Sequence, residues 1–98
     1  NAFGYGALQQ NTFGSRNTAV GYGALLYNNA DNNTAIGFCA LRSNTTGVNN
    51  TAIGCHALLC STTGSDNTAI GNQSQANVST GAYNVTMGNK RLHYTRNT

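Results

Sequence analysis

Short apolar pieces alternate with glycine and with longer polar stretches along this chain, and the alternation is periodic. Asn17-Thr18-Ala19-Val20-Gly21 returns at Asn33, Asn50 and Asn67 as Asn-Thr-Ala-Ile-Gly and at Asn84 as Asn-Val-Thr-Met-Gly, in steps of 16, 17, 17 and 17 residues. A second piece follows each motif glycine after two variable residues: Ala7-Leu8, Ala24-Leu25, Ala40-Leu41 and Ala57-Leu58, then Ser74-Gln75 and Arg91-Leu92. Two short apolar pieces per repeat predict two short strands per coil. A period below about 20 residues is too short for a helical repeat or a propeller blade and points to a β-solenoid. The expected fold is therefore all-β, a β-solenoid or β-roll of about six coils near 1–16, 17–32, 33–49, 50–66, 67–83 and 84–98, forming one repeat array. Asn1 falls inside a repeat and Thr98 stops before one is complete, so the expectation is a window from a longer fibrous protein.

The polar stretches predict the return turns. Asn44-Thr45-Thr46-Gly47, Ser61-Thr62-Thr63-Gly64 and Val78-Ser79-Thr80-Gly81 stand before the next motif, with Asn11-Thr12-Phe13-Gly14 as an early variant. Glycine supplies positive φ, and Asn and Thr bond to their own backbone, so this segment is expected to carry the chain into the next coil. The one-residue deletion falls in the same place, within Asn28-Asn29-Ala30-Asp31-Asn32, where a strand register is not disturbed. Asn17, Asn33, Asn50, Asn67 and Asn84 would stack at the strand spacing of about 4.8 Å. Two readings stay open for them: an asparagine ladder along the rod, or separate caps on separate turns.

Alternation within a strand sets the burial problem. Ala faces opposite to Thr and Ile in the first piece, and Ala opposite to Leu in the second. If Ala fills a narrow lumen, Val20, Ile36, Ile53 and Ile70 form one exposed apolar column and Leu8, Leu25, Leu41 and Leu58 another. Stripes of that length call for burial between chains, hence a homo-oligomer. The opposite arrangement, with large residues inside and Ala outside, would allow a monomer.

Composition narrows the picture. Charged residues are 7% and Pro is absent, so charge-driven disorder is not expected and an uncharged stacked β structure is. The net charge of +3 rests on five cations, of which Lys90, Arg91 and Arg96 gather near His93 at the end. That is short of a nucleic-acid footprint. The apolar runs are too short to span a membrane. Cys39, Cys55 and Cys60 occupy different repeat positions and match neither a disulfide framework nor a metal spacing, so they are expected as small apolar fillers.

The element Asn-Thr-Ala-Ile-Gly-x-x-Ala-Leu, at Asn33 to Leu41 and Asn50 to Leu58, resembles the head repeat of YadA-like trimeric autotransporter adhesins. The longer form with Asn44-Thr45-Thr46-Gly47 also resembles repeats of phage and viral tail-fibre-like proteins. The resemblance implies a left-handed β-roll, three chains packed together, and binding to host matrix or cell surfaces. The mostly 17-residue period is longer than the adhesin head repeat, and the strand motif is one residue shorter.

No catalytic set emerges. His56 and His93 are the histidines and Asp31 and Asp66 the carboxylates, and none of them repeats. Cys55 and His56 are neighbours on opposite strand faces with no third orienting group. Calcium-binding rolls need several Asp per turn. No enzyme, cofactor or metal is therefore expected. The candidate surface-binding column is Tyr5, Tyr22 and Phe38, one position after the motif glycine; such columns contact sugars and partner surfaces, or cover a sheet. Thr18, Thr34, Thr51 and Thr68 form a single threonine column. Sequons stand at Asn32, Asn44, Asn49, Asn72, Asn77 and Asn84. The expected function is a structural and adhesive segment of an extracellular or virion-surface fibre. Its expected partners are its own copies, as a trimer, and a host-surface glycan or matrix protein. A polymerising filament body with no specific ligand is the alternative, and an ice-binding solenoid a lesser one.

Overall fold

In the computed structural model the described residues are 1–10, 14–76 and 80–88, together with a strand at 95–96. The Asn11–Phe13 turn variant, the sequon at Asn77, Val78, Ser79 and the Lys90, Arg91, Leu92 and His93 positions lie outside them. Seven strands form one sheet in chain order: β1 (Ala2–Phe3), β2 (Thr18–Val20), β3 (Thr34–Ile36), β4 (Thr51–Ile53), β5 (Thr68–Ile70), β6 (Val85–Met87) and β7 (Thr95–Arg96). The first six run parallel, each repeat placed over the last with Ala19, Ala35, Ala52 and Ala69 in one line. This is a β-solenoid of about five turns. Thr and Ile or Val flank each alanine, and their branched Cβ atoms suit the extended backbone. The last strand departs from the repeat: β7 lies antiparallel to β6, with Val85 opposite Arg96 and Thr86 opposite Thr95.

Among the described residues each turn contains one strand rather than two. The Ala-Leu piece is a run of overlapping turns, in which Ala24, Leu26 and Asn28 N–H groups donate to the Gly21, Gly23 and Leu25 carbonyls. Leu8, Leu25, Leu41 and Leu58 sit at φ between 50° and 53°, and the residue two before each, Gly6, Gly23, Cys39 or His56, is also positive. A sign change of φ at every second residue cancels the face alternation of a strand. Ala and Leu therefore both turn inward, and Leu25, Leu41 and Leu58 are fully buried beside Ala24, Ala40 and Ala57. The expected leucine column on the surface is a core column. Left-handed backbone costs a non-glycine residue about 1–2 kcal/mol, and burying leucine returns about 1.5–3 kcal/mol, so the site tolerates leucine because its side chain fills the lumen.

The return turn also differs from expectation in how it uses glycine. Positive φ there belongs to the residue before each motif asparagine: Arg16, Asn32, Asn49, Asp66 and Tyr83. Gly47 and Gly64 are required by space instead, because a Cβ on Gly47 would collide with the Gly64 carbonyl oxygen and one on Gly64 with that of Gly81. The motif glycines need both freedoms: Gly37 has φ 134°, and a Cβ there would lie 2.6 Å from the Gly54 oxygen. In the shortened coil, Asn28 Nδ2 donates to the Ala30 carbonyl over the ground that Asn44 and Gly47 cover in the next, and the strand register is unchanged.

Candidate functional site

The motif asparagines are all buried and join consecutive coils through the backbone. Asn17 Oδ1 accepts from the Asn33 N–H at 2.9 Å, and the same bond runs from Asn50 to Asn33, Asn67 to Asn50 and Asn84 to Asn67 at 3.0 Å. The amide nitrogens of the first four turn the other way. Asn33, Asn50 and Asn67 Nδ2 donate to the carbonyls of Gly47, Gly64 and Gly81 at 2.8, 2.8 and 2.7 Å, and Asn17 Nδ2 to that of Ala30 at 2.7 Å. One side chain thus ties the start of a strand to the return turn that lies over it. At the end of the column Asn84 Nδ2 also reaches Asn67 Oδ1, at 3.2 Å. The two readings of these residues meet here: the column is a ladder, and its rungs are side chain to main chain.

A second asparagine column, built from residues expected only to turn the chain, stands beside the first. Asn44 Nδ2 donates to Asn28 Oδ1 at 2.6 Å and to the Gly47 carbonyl at 3.0 Å, and Asn33 Nδ2 joins the columns by donating to Asn28 Oδ1 at 3.1 Å. The signal was present in Asn28 and Asn44 heading successive return turns.

On the outside, Val20 and Ile36 remain 38% and 39% exposed, Phe3 and Met87 more so, and Ile53 and Ile70 are half-buried. Val20, Ile36, Ile53 and Ile70 stand where the aliphatic column was expected, with Phe3 and Met87 extending it at its two ends and alanines behind it at the lumen wall. Two residues further along, Tyr5, Tyr22 and Phe38 stack with centroids 5.2 Å apart and planes 12° and 9° from parallel. Ring faces turned towards one another leave mainly edges and the phenol hydroxyls for an outside partner. His56 continues the row edge-on to Phe38, at 5.4 Å and 67°. It does so from one position later in its coil, an offset that alignment of repeat positions does not reveal.

The remaining candidates are dispersed. Cys39 is buried, Cys55 intermediate and Cys60 exposed, so the filler expectation fails for Cys60. Burial pushes the Cys39 thiol pKa up, with Arg42 drawing it back and Cys55 adding to the rise. Arg42 lies 5.6 Å from the centre of the Tyr27 ring, and Arg16 is 3.9 Å from Asp31 on the surface. Sequon residues Asn32, Asn49 and Asn72 are exposed, whereas Asn44 and Asn84 are buried. Among the described residues no group of three or more His, Cys, Asp or Glu side chains could hold a metal ion, and no helix is long and apolar enough to cross a membrane. What the geometry defines is a repeat rod of the β-solenoid class with a buried amide ladder and one apolar side. Comparison with protein-family models, curated proteins and solved structures gives no match.

Proposed function

We propose that the chain is a structural and adhesive segment of an extracellular or virion-surface fibre, assembled as a homotrimer through its aliphatic column. The single observation that carries this reading is that column itself: Phe3, Val20 and Ile36 stand exposed in line, Ile53 and Ile70 continue them half-buried and Met87 ends the row exposed, on a parallel stack whose lumen is already filled by alanine and leucine. Chains meeting along it would bury what a lone rod leaves in water. The aromatic row and the exposed rims of successive coils then offer the same weak contacts many times along one axis, to a host glycan or matrix protein, and such contacts add through multivalency.

Paired substitution Val20→Asp and Ile36→Asp tests the assembly. Both side chains leave the lumen untouched, so the variant folds, and the expected result by light scattering is a monomer where the parent is a trimer. A parent chain that is itself monomeric refutes the reading. Adhesion is tested separately by saturable binding of the trimer to glycan and matrix-protein arrays.

A further inference from the structure

The aromatic row begins with two tyrosines, and the fold holds them on neighbouring rungs. Tyr5 and Tyr22 each stand between two glycines, in Gly4-Tyr5-Gly6 and Gly21-Tyr22-Gly23, so neither ring has a side chain beside it in sequence. The Gly21 and Gly23 N–H groups donate to the Phe3 and Tyr5 carbonyls at 2.7 and 2.9 Å, which clamps the backbone of one coil to the other on both sides of the pair. The two rings stack with centroids 5.2 Å apart and planes 12° from parallel, and the residues are 77% and 52% exposed. Phe38 carries the stack one coil further without a hydroxyl. Among the described residues no other two tyrosine rings are in contact, and Tyr27 instead faces the Arg42 guanidinium.

We propose that Tyr5 and Tyr22 form an oxidative cross-link site, at which hydrogen peroxide acting through a haem peroxidase joins the two rings as dityrosine. The peroxide takes one hydrogen atom from each phenol and becomes two waters. The unpaired electron of a phenoxyl radical is shared between the oxygen and the ring carbons beside it, so coupling forms a bond from one Cε of Tyr5 to one Cε of Tyr22. Each joined carbon then passes its hydrogen to the ring oxygen, and both phenols are restored. Such radicals couple readily once they meet, and partners held in place react as if at very high concentration. The two backbones lie on adjacent rungs, at about the strand spacing of 4.8 Å. Turning about their side-chain bonds on the open side brings the two rings edge to edge. Distance along the chain favours Tyr22 with Tyr27, whereas the fold selects Tyr5. The product staples the first coil to the second from outside the sheet, at the end where β1 pairs with β2 alone.

The test treats the 98-residue chain with hydrogen peroxide and a haem peroxidase, then denatures it and digests it with trypsin. Cleavage after Arg16 and Arg42 separates Tyr5 from Tyr22, so the link appears as residues 1–16 joined to 17–42, lighter by two hydrogen atoms and with dityrosine fluorescence. Fragmentation should place the bond at Tyr22, and the yield per chain should stay constant as the protein is diluted. Tyr22→Phe keeps a ring in the stack, as Phe38 does, and should lose nearly all of the fluorescence with an unchanged circular dichroism spectrum. A link that falls mainly on Tyr27 or Tyr83, a yield that rises with protein concentration, or fluorescence that survives Tyr22→Phe would each overturn the proposal.

Discussion

The middle coils and the last described coil share a backbone but not a core. From Ala19 to Leu58 the lumen is alanine and leucine, while further on Ser74, Gln75 and Thr86 occupy the equivalent buried places. Gln75 Nε2 reaches the Thr68 carbonyl at 3.1 Å and Ser74 Oγ the Thr86 carbonyl at 3.5 Å, but Gln75 Oε1 and Thr86 Oγ1 have no partner among the described residues. Even so, β5 and β6 keep the parallel register of every earlier pair. Register therefore does not depend on the apolar fill. It is carried by the asparagine ladder and the side-chain-free glycine columns, which run through both regions, and the lumen decides how strongly each coil is held.

That division of labour is open to direct attack. Asn50→Ala should have the largest effect, because it strips partners from two buried groups at once, the Asn67 N–H and the Gly64 carbonyl. At about 1–3 kcal/mol for each orphaned group, urea unfolding should show a loss of roughly 2–6 kcal/mol. Leu41→Ala should come next, at about 2–5 kcal/mol for a cavity in a closed core, with the strand register intact by NMR. Gln75→Leu should go the other way. It extends the leucine column and removes a buried orphan oxygen at the cost of the Nε2 bond to the Thr68 carbonyl, and a net gain of about 1 kcal/mol is expected; a loss would mean that the glutamine's polar contacts outweigh the apolar fill. The smallest effect is titration of Cys39. Burial raises its pKa in the folded chain, so above the ordinary thiol value of about 8.5 the unfolded chain releases its proton first. Stability from this group should be flat below that pH and fall above it, and the fall should be shallower in Cys39→Ala.

Much of the rod was legible before the structure. The period, the Thr-Ala-Ile strands, the inward alanines and the outward Val20 and Ile36 all follow from repetition and β-branching. The Ala-Leu piece misled because face alternation holds only while φ stays negative. Tyr-Gly at Tyr5-Gly6 and Tyr22-Gly23 hinted at positive φ, but Cys39 and His56 occupy the same position without glycine's freedom and hide it. Two roles of glycine were likewise merged. Gly47 and Gly21 look alike in sequence, yet one is required by the carbonyl above it and the other also by its φ of 124°. Of the surface, the aromatic row was readable at Tyr5, Tyr22 and Phe38, and its extension to His56 was not, because the contact crosses repeat positions.

Native-state hydrogen exchange of the backbone amides tests the ladder most directly. The Asn33, Asn50 and Asn67 N–H groups, each held by the asparagine one coil earlier, should exchange only through global unfolding, as slowly as those of the buried strand alanines. The exposed turn amide of Thr46, bonded at 3.3 Å to the Thr62 carbonyl, should exchange far faster. Ladder amides that exchange as readily as Thr46 would contradict the claim that buried asparagines hold the coils in register.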